Sequence, residues 1–346
     1  MGDIIERTYI RPLRIGKLTI RHNLVVAPLA GISNYPFRQI CREFGADLTF
    51  TEMVSVDGLV YESKMSRELL KISPNEHPIG FQLFGSNPDH FQKVLPMLEK
   101  MGPDVIDLNF SCPVRKVVSK GAGAAILRDM KRLRQIVQIC KSSTTIPLMV
   151  KIRTGWDERS IVAVDAAQAA EAAGADAITV HGRTRNQRYS ERADWESIAR
   201  VKEVLKIPVI GNGDVFTCEA ALEIFRMTQV DGIMLARGIL GKPWLVQEIL
   251  QFLNGCKMTL EINLKERFKI LERHYQYQLS EYPEDVALSH MKKHFVWYTR
   301  GLPHTARLRD QIFRSRSYSQ IMEVFSTYVD NLLFEKEDFG DKIAVK

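Results

Sequence analysis

Short apolar runs alternate with stretches of helical period over the first two-thirds of the chain. Eight such runs begin near Leu24, Ala46, Pro78, Asp104, Pro147, Asp176, Pro208 and Asp231, and each has the length of a strand. Between them, Pro36 to Phe44, Pro88 to Met101, Met130 to Lys141, Arg159 to Ala173, Trp195 to Leu205 and Thr217 to Met227 carry apolar residues three and four apart. Several have Asp, Ser or Thr near the start, so amphipathic helices are predicted there. Strand, helix, strand in repetition argues for parallel pairing, and the pattern ends near Phe252, close to the ~250 residues of a closed (β/α)8 barrel. The predicted class is α/β: a TIM barrel over residues 1–253 followed by a small all-helical domain over 254–346.

That second segment lacks short β-branched runs. Leu260 to Glu281, Val286 to Arg300 and Ser319 to Phe334 have helical periodicity, with Gly301-Leu302-Pro303 as a turn. A bundle of about three or four helices gives a small core at this length, and the charged tail Lys336 to Lys346 is expected to fray.

Composition narrows the class without changing it. With 45% hydrophobic and 26% charged residues, the chain reads as a globular protein with no membrane span. The start, Met1 to Ile10, contains Asp3 and Glu6 and no apolar leader core, so a cytoplasmic protein is expected. Five cysteines, odd in number and with no C-x-x-C pair, argue against both a disulfide framework and a zinc site.

The formal charge of +7 is local. Seven Lys or Arg stand against one acid between His290 and Arg316, with Trp297, Tyr298 and Tyr318 interleaved, a composition suited to a phosphate backbone and stacked bases; a solvated helix face is the alternative. Arg115, Lys116 and Lys120 follow the fourth strand, and Arg183, Arg185, Arg188 and Arg192 follow the sixth. Two basic loops on one rim, with a basic accessory domain, favour a nucleic-acid partner.

The chemistry centres on Asp107-Leu108-Asn109-Phe110-Ser111-Cys112-Pro113, where a buried-strand pattern runs into a cysteine. In this fold reactive groups gather at strand C-terminal ends. The seventh and eighth strands end in Gly211-Asn212-Gly213-Asp214 and Ala236-Arg237-Gly238, loops that commonly bind phosphate because glycines let backbone N–H groups approach. Arg237 adds a charge-assisted donor. Gln82, Lys151 and His181 are polar residues at the ends of apolar strands, and a flavin edge would pair with them.

These residues together resemble the flavin-dependent tRNA-dihydrouridine synthases, particularly the bacterial B-type branch. The likeness runs from Ala27-Pro28-Leu29-Ala30-Gly31-Ile32-Ser33 through Asn109 to Leu127, Lys151 to Trp156, His181 to Arg185, Asn212 to Asp214 and Ala236 to Gly238, and on to His290 to Arg300. Ser111 departs from the family's usual glycine or asparagine. The resemblance implies FMN held by Pro28, Leu29, Ala30, Gln82, Lys151, His181, Asn212, Gly213, Asp214, Ala236 and Arg237. It also implies NADPH or NADH as a transient reductant and tRNA as partner, gripped by the helical domain, with D-loop uridines reduced to 5,6-dihydrouridine. Hydride would pass from the reduced flavin to C6 and a proton from Cys112 to C5. Asn109 and Arg183 are the candidates for touching substrate. A monomer without protein partners is expected.

Two other readings stay open: an FMN barrel acting on a free pyrimidine, as dihydroorotate dehydrogenases do, and a non-catalytic tRNA binder. Lesser signals carry less. Gly121 to Ile126 lacks the strand that should precede a dinucleotide fingerprint. His290 and His294, four apart on one helix face, lack the glutamate of a zinc protease and are expected on a polar, RNA-facing surface.

Overall fold

The structure, a computed structural model, describes residues 9–256, 260 and 262–339. The expectation for Met1 to Thr8 and that for the tail beyond Phe339 lie outside the described residues. The chain divides into two compact units, Met1–Gly238 with Leu245–Thr259, and Ile239–Trp244 with Leu260–Lys346.

The first unit is built on eight parallel strands, β1 (Leu24–Val26), β2 (Thr49–Phe50), β3 (Ile79–Phe84), β4 (Val105–Phe110), β5 (Leu148–Arg153), β6 (Ala177–His181), β7 (Val209–Asn212) and β8 (Gly232–Leu235). Each pairs with its sequence neighbour from β2 through β8, and β8 pairs with β1. A single parallel bridge, Val25 to Leu48, closes the ring. A short strand, Val54–Ser55, adds to the end of β3. The strands are buried on both faces because helices cover the outside, so their sequences read as continuous apolar runs.

Helix starts follow the predicted cap chemistry. Asn87, Asp129, Asp194 and Thr217 each accept a backbone N–H of the first turn, at 3.1, 2.9, 2.9 and 3.2 Å, which satisfies donors that a helix start leaves open. One boundary differs. The helix predicted from Arg159 begins only at Ala163, because Gly155 bridges to Ile161. The approach is so close that a Cβ on Gly155 would lie 2.0 Å from the Ser160 carbonyl oxygen.

An N-terminal hairpin, Leu13–Ile15 against Leu18–Ile20, has no counterpart in the periodicity analysis, since three-residue strands carry too little pattern. Its Leu13, Ile15 and Ile20 are buried against Val25, Leu48, Val105, Met149, Ala177, Ile210 and Met234. They plug the end of the barrel where the strands begin, each contributing roughly 1.5–3 kcal/mol. The opposite end is left for polar side chains.

The second unit contains helices Leu264–Glu281, Glu284–Tyr298, Thr305–Arg314 and Tyr318–Phe339. Leu271, Tyr275, Met291, Phe295, Leu308, Ile312 and Ile321 form its interior. Its inclusion of Ile239–Trp244 differs from a single cut after residue 253. Gly241, at φ +75°, lies so close to Trp297 that a Cβ there would stand 2.2 Å from the Trp297 carbonyl carbon. Among the described residues no helix is long and apolar enough to cross a membrane.

Candidate active site

The C-terminal ends of the strands surround one cleft enclosing about 940 Å³ of empty space, its open mouth included. All eleven residues expected at the cofactor, from Pro28 to Arg237, line it, together with Asn109 and Cys112. The exception among the expected site residues is Arg183, whose side chain is 2% exposed and committed elsewhere.

Cys112 follows directly from the turn that ends β4. The Asn109 side-chain oxygen accepts the backbone N–H groups of Ser111 and Cys112 at 3.0 and 2.8 Å. The Asn109 amide nitrogen donates to Gln82 Oε1 at 2.8 Å, and Gln82 Nε2 donates to Asp107 Oδ2 at 2.6 Å. Strand register makes this possible, because Gln82 stands opposite Asp107 across β3 and β4. Ser111 adopts no left-handed backbone conformation, so glycine is not required there, and its carbonyl accepts Arg153 Nε at 2.7 Å. The Cys112 thiol is 8% exposed. Burial pushes its pKa up, against the Val114 N–H and the Arg153 charge, which pull it down.

Lys151 stands opposite Asn109 across β4 and β5 and donates to Asn212 Oδ1 at 3.0 Å. The Asn212 amide nitrogen is tied to the Met234 carbonyl at 2.8 Å, which orients its oxygen toward the lysine. Burial lowers the Lys151 pKa while the Asp107 charge opposes that fall. Burial likewise raises Asp107, against the Gln82 hydrogen bond and the Lys151 charge. His181 is held well below its usual value, first by burial and then by the cations Arg153, Lys151, Arg183 and Arg237. A neutral imidazole therefore faces the cleft.

The glycine-containing loop after β7 turns at Gly213 (φ +134°) and Asp214 (φ +57°). Asp214 joins two arginines, Arg183 at 2.6 Å and Arg237 at 3.1 Å. Arg183 also donates to the Ser190 and Glu191 carbonyls at 2.9 and 2.6 Å. The Arg183 side chain thus does not line the cleft, where contact with substrate was expected. A buried guanidinium is stable only when its donors are satisfied, and Arg183 spends them tying the loop after β6 to the loop after β7. The ring centroid of Tyr189, the residue before those carbonyl anchors, lies 4.8 Å from the Arg237 guanidinium carbon and 5.8 Å from that of Arg153.

Asp107, Arg153 and Tyr189 escaped the sequence reading. Asp107 and Arg153 lie within the motifs around Cys112 and Lys151, and strand alternation alone would have aimed them inward with Asn109 and Lys151. Tyr189 sits in a loop, where no periodicity reports direction.

The cleft's walls fit a flavin mononucleotide by donor chemistry. Lys151 has one acceptor partner for three donor protons, Gln82 keeps a second amide hydrogen beyond its bond to Asp107, and Arg237 is one-third exposed. At Gly213 a Cβ would come within 2.7 Å of the Ala193 side chain, so the backbone stays bare on that wall.

Of the basic loops, Arg115, Lys116, Lys120, Arg188 and Arg192 are exposed. In the helical unit the expectation for His294 is corrected. It is 1% exposed, its ring centroid 4.5 Å from that of His274. Tyr298 is equally buried, and Tyr318 donates its hydroxyl to Glu272 at 3.0 Å, so these two rings pack within the unit instead of offering stacking faces. Helical period ran through both the cationic and the aromatic positions, and only the fold assigned His294 and Tyr298 to the interior.

The family model described as dihydrouridine synthase (Dus) matches residues 25–332. A probable tRNA-dihydrouridine synthase 1 of Synechocystis is 36% identical over 90% of this chain and 88% of its own length. The tRNA-dihydrouridine synthase B of Pasteurella multocida is 33% identical over 94% and 98%, and that of Pseudomonas aeruginosa 35% over 87% and 91%. Among solved structures, the 6-hydroxypseudooxynicotine amine oxidase of Pseudomonas geniculata superposes with a TM-score of 0.57 at 16% identity, covering 73% of this chain and 50% of that larger one. That likeness is one of fold. Matched from its first barrel strand into its last described helix, the chain belongs to the dihydrouridine synthase family.

Proposed function

We propose that this protein reduces uridines of tRNA to 5,6-dihydrouridine, with FMN bound in the cleft and NADPH or NADH restoring the reduced cofactor. The observation that carries the reading is a buried thiol, Cys112, its pKa pushed up by burial, on the wall of a donor-lined cleft that also holds Lys151, His181, Asn212 and Arg237. When bound and reduced, the flavin supplies the hydride taken up at C6 of the uracil ring.

The chain's own groups do the rest. Gln82, Lys151 and Asn212 bind and orient the ring edge, Arg237 with the Gly213 turn receives the phosphate, and neutral His181 serves as a donor that brings no charge. Cys112 gives its proton to C5 from the face opposite the hydride. Its raised pKa keeps the proton in place near neutrality, as a general acid requires. Asn109, whose oxygen is taken by two backbone N–H groups and one of whose N–H groups goes to Gln82, can offer uracil only the N–H that here meets Met53 Sδ at 3.5 Å. Arg115, Lys116, Lys120, Arg188 and Arg192 are the exposed cations suited to holding phosphates while the target base leaves its stack, at a cost of a few kcal/mol.

Two measurements test the reading together. Purified protein is expected to release FMN on denaturation. Mapping of dihydrouridine in tRNA from cells lacking the protein is expected to show loss at defined positions. A colourless protein that takes up no flavin, or unchanged tRNA, would overturn it.

A further inference from the structure

The hydrogen-bond chain beneath Cys112 has only one possible direction. The backbone N–H groups of Ser111 and Cys112 can only donate, so Asn109 must present its oxygen to them. Its amide nitrogen is then left for Gln82, which must meet it with Oε1. Gln82 in turn has only its nitrogen for Asp107, and the chain ends on a carboxylate oxygen that must accept. An amide at either middle position turned over would set donor against donor, with two or more buried groups unsatisfied at about 1–3 kcal/mol each.

We propose that Asp107 is a positioning residue, which sets the orientation of Gln82 and Asn109 and through them holds the Cys112 turn in its proton-donating geometry. The function of the turn rests on the reading above; the hydrogen-bond chain does not. Asp107 is fully buried and lies below the cleft wall rather than on it, so it acts through the two amides. Its second carboxylate oxygen, Oδ1, has no hydrogen-bond partner among the described residues. A buried carboxylate is costly to keep, and here its acceptor is what terminates the chain. A leucine of similar bulk would fill the space and leave Gln82 free to turn.

The test compares Asp107→Leu and Asp107→Asn with the unaltered full chain by the rate at which iodoacetamide labels Cys112, read by peptide mass spectrometry. Flavin content and the rate of flavin reduction by NAD(P)H are measured alongside. Asp107→Leu is expected to change Cys112 labelling at least fivefold and to slow uridine reduction at least tenfold, in a protein that remains folded and retains flavin. Asp107→Asn, which can still turn an oxygen toward Gln82, is expected to restore labelling to within twofold. Unchanged labelling in a folded Asp107→Leu protein overturns the proposal. So does an Asp107→Asn protein that behaves like the leucine variant, or loss of flavin and fold in step with labelling. Should Asp107→Leu fail to fold, Gln82→Leu cuts the chain one link higher, and unchanged labelling there overturns it equally. Because labelling needs no substrate, a changed labelling rate in a protein that reduces no uridine would count against the proposed function and not against the chain.

Discussion

The side-chain oxygen of Asn109 accepts the backbone N–H of Cys112 at 2.8 Å, so the strand residue three positions earlier shapes the turn that carries the thiol. Asn109→Ala strands two buried donors and is expected to cost about 2–3 kcal/mol of stability. Uridine reduction in a single turnover should fall roughly 10- to 100-fold, as misplacement of a reacting group does. Thermal unfolding and single-turnover assays check both. Wild-type rates in Asn109→Ala would remove the link between turn and chemistry.

Cys112→Ala removes the proposed acid and leaves the cation-bearing loops intact. Uridine reduction is expected to drop about 10²- to 10⁴-fold, while tRNA affinity and flavin reduction by NAD(P)H stay within twofold. A variant that still forms dihydrouridine at a comparable rate would exclude Cys112 as the acid.

Because burial raises the Cys112 pKa, the acidic form persists to higher pH than for a free thiol. The rate of uridine reduction should stay flat through neutrality and decline only above the ordinary thiol range, with labelling by alkylating agents rising over the same interval. A decline beginning near neutrality would mean that Cys112 ionises early and cannot be the donor.

Asp214 is shared by Arg183 and Arg237. Asp214→Ala leaves the buried Arg183 without its counter-charge beside a second cation, an arrangement expected to cost about 3 kcal/mol. The loops after β6 and β7 should separate, and FMN content should fall with the melting temperature. Calorimetry together with flavin quantification reads both, and an unshifted transition would contradict the assignment.

In the helical unit, burial pushes His274 down to about 3 and holds His294 well below its usual value, with the neighbouring His274 adding to the effect. The unfolded chain therefore binds more protons than the folded one below pH 6.5, and stability present above that value is lost as the pH falls from there toward 3. Melting of this unit followed from pH 7 to 4 should show the loss, with a shallower slope in a His274→Phe, His294→Phe double variant. Equal slopes would place the acid sensitivity elsewhere.

Local pattern by itself determined the barrel and the location of its site. The apolar runs at Leu24 to Asp231 are the strands to within three residues, because parallel strands covered by helices must be apolar on both faces. The polar residues that interrupt those runs at their ends, Gln82, Asn109, Lys151, His181 and Asn212, had to meet at one rim, since eight parallel strands point the same way.

Tertiary structure decided which of the remaining polar side chains face a ligand and which are consumed by the protein. Arg183 looked like a rim cation, yet its partner Asp214 lies 31 residues away and draws it inside. His294 shares a helical period with exposed lysines, yet meets His274 from the preceding helix in the interior. Asp107 reads as one more strand position until Gln82, 25 residues earlier, is brought beside it. The physical reason is the same in each case. Periodicity reports the average burial of a face, whereas the fate of a buried charge depends on one distant partner that only the closed barrel or the packed helices supply.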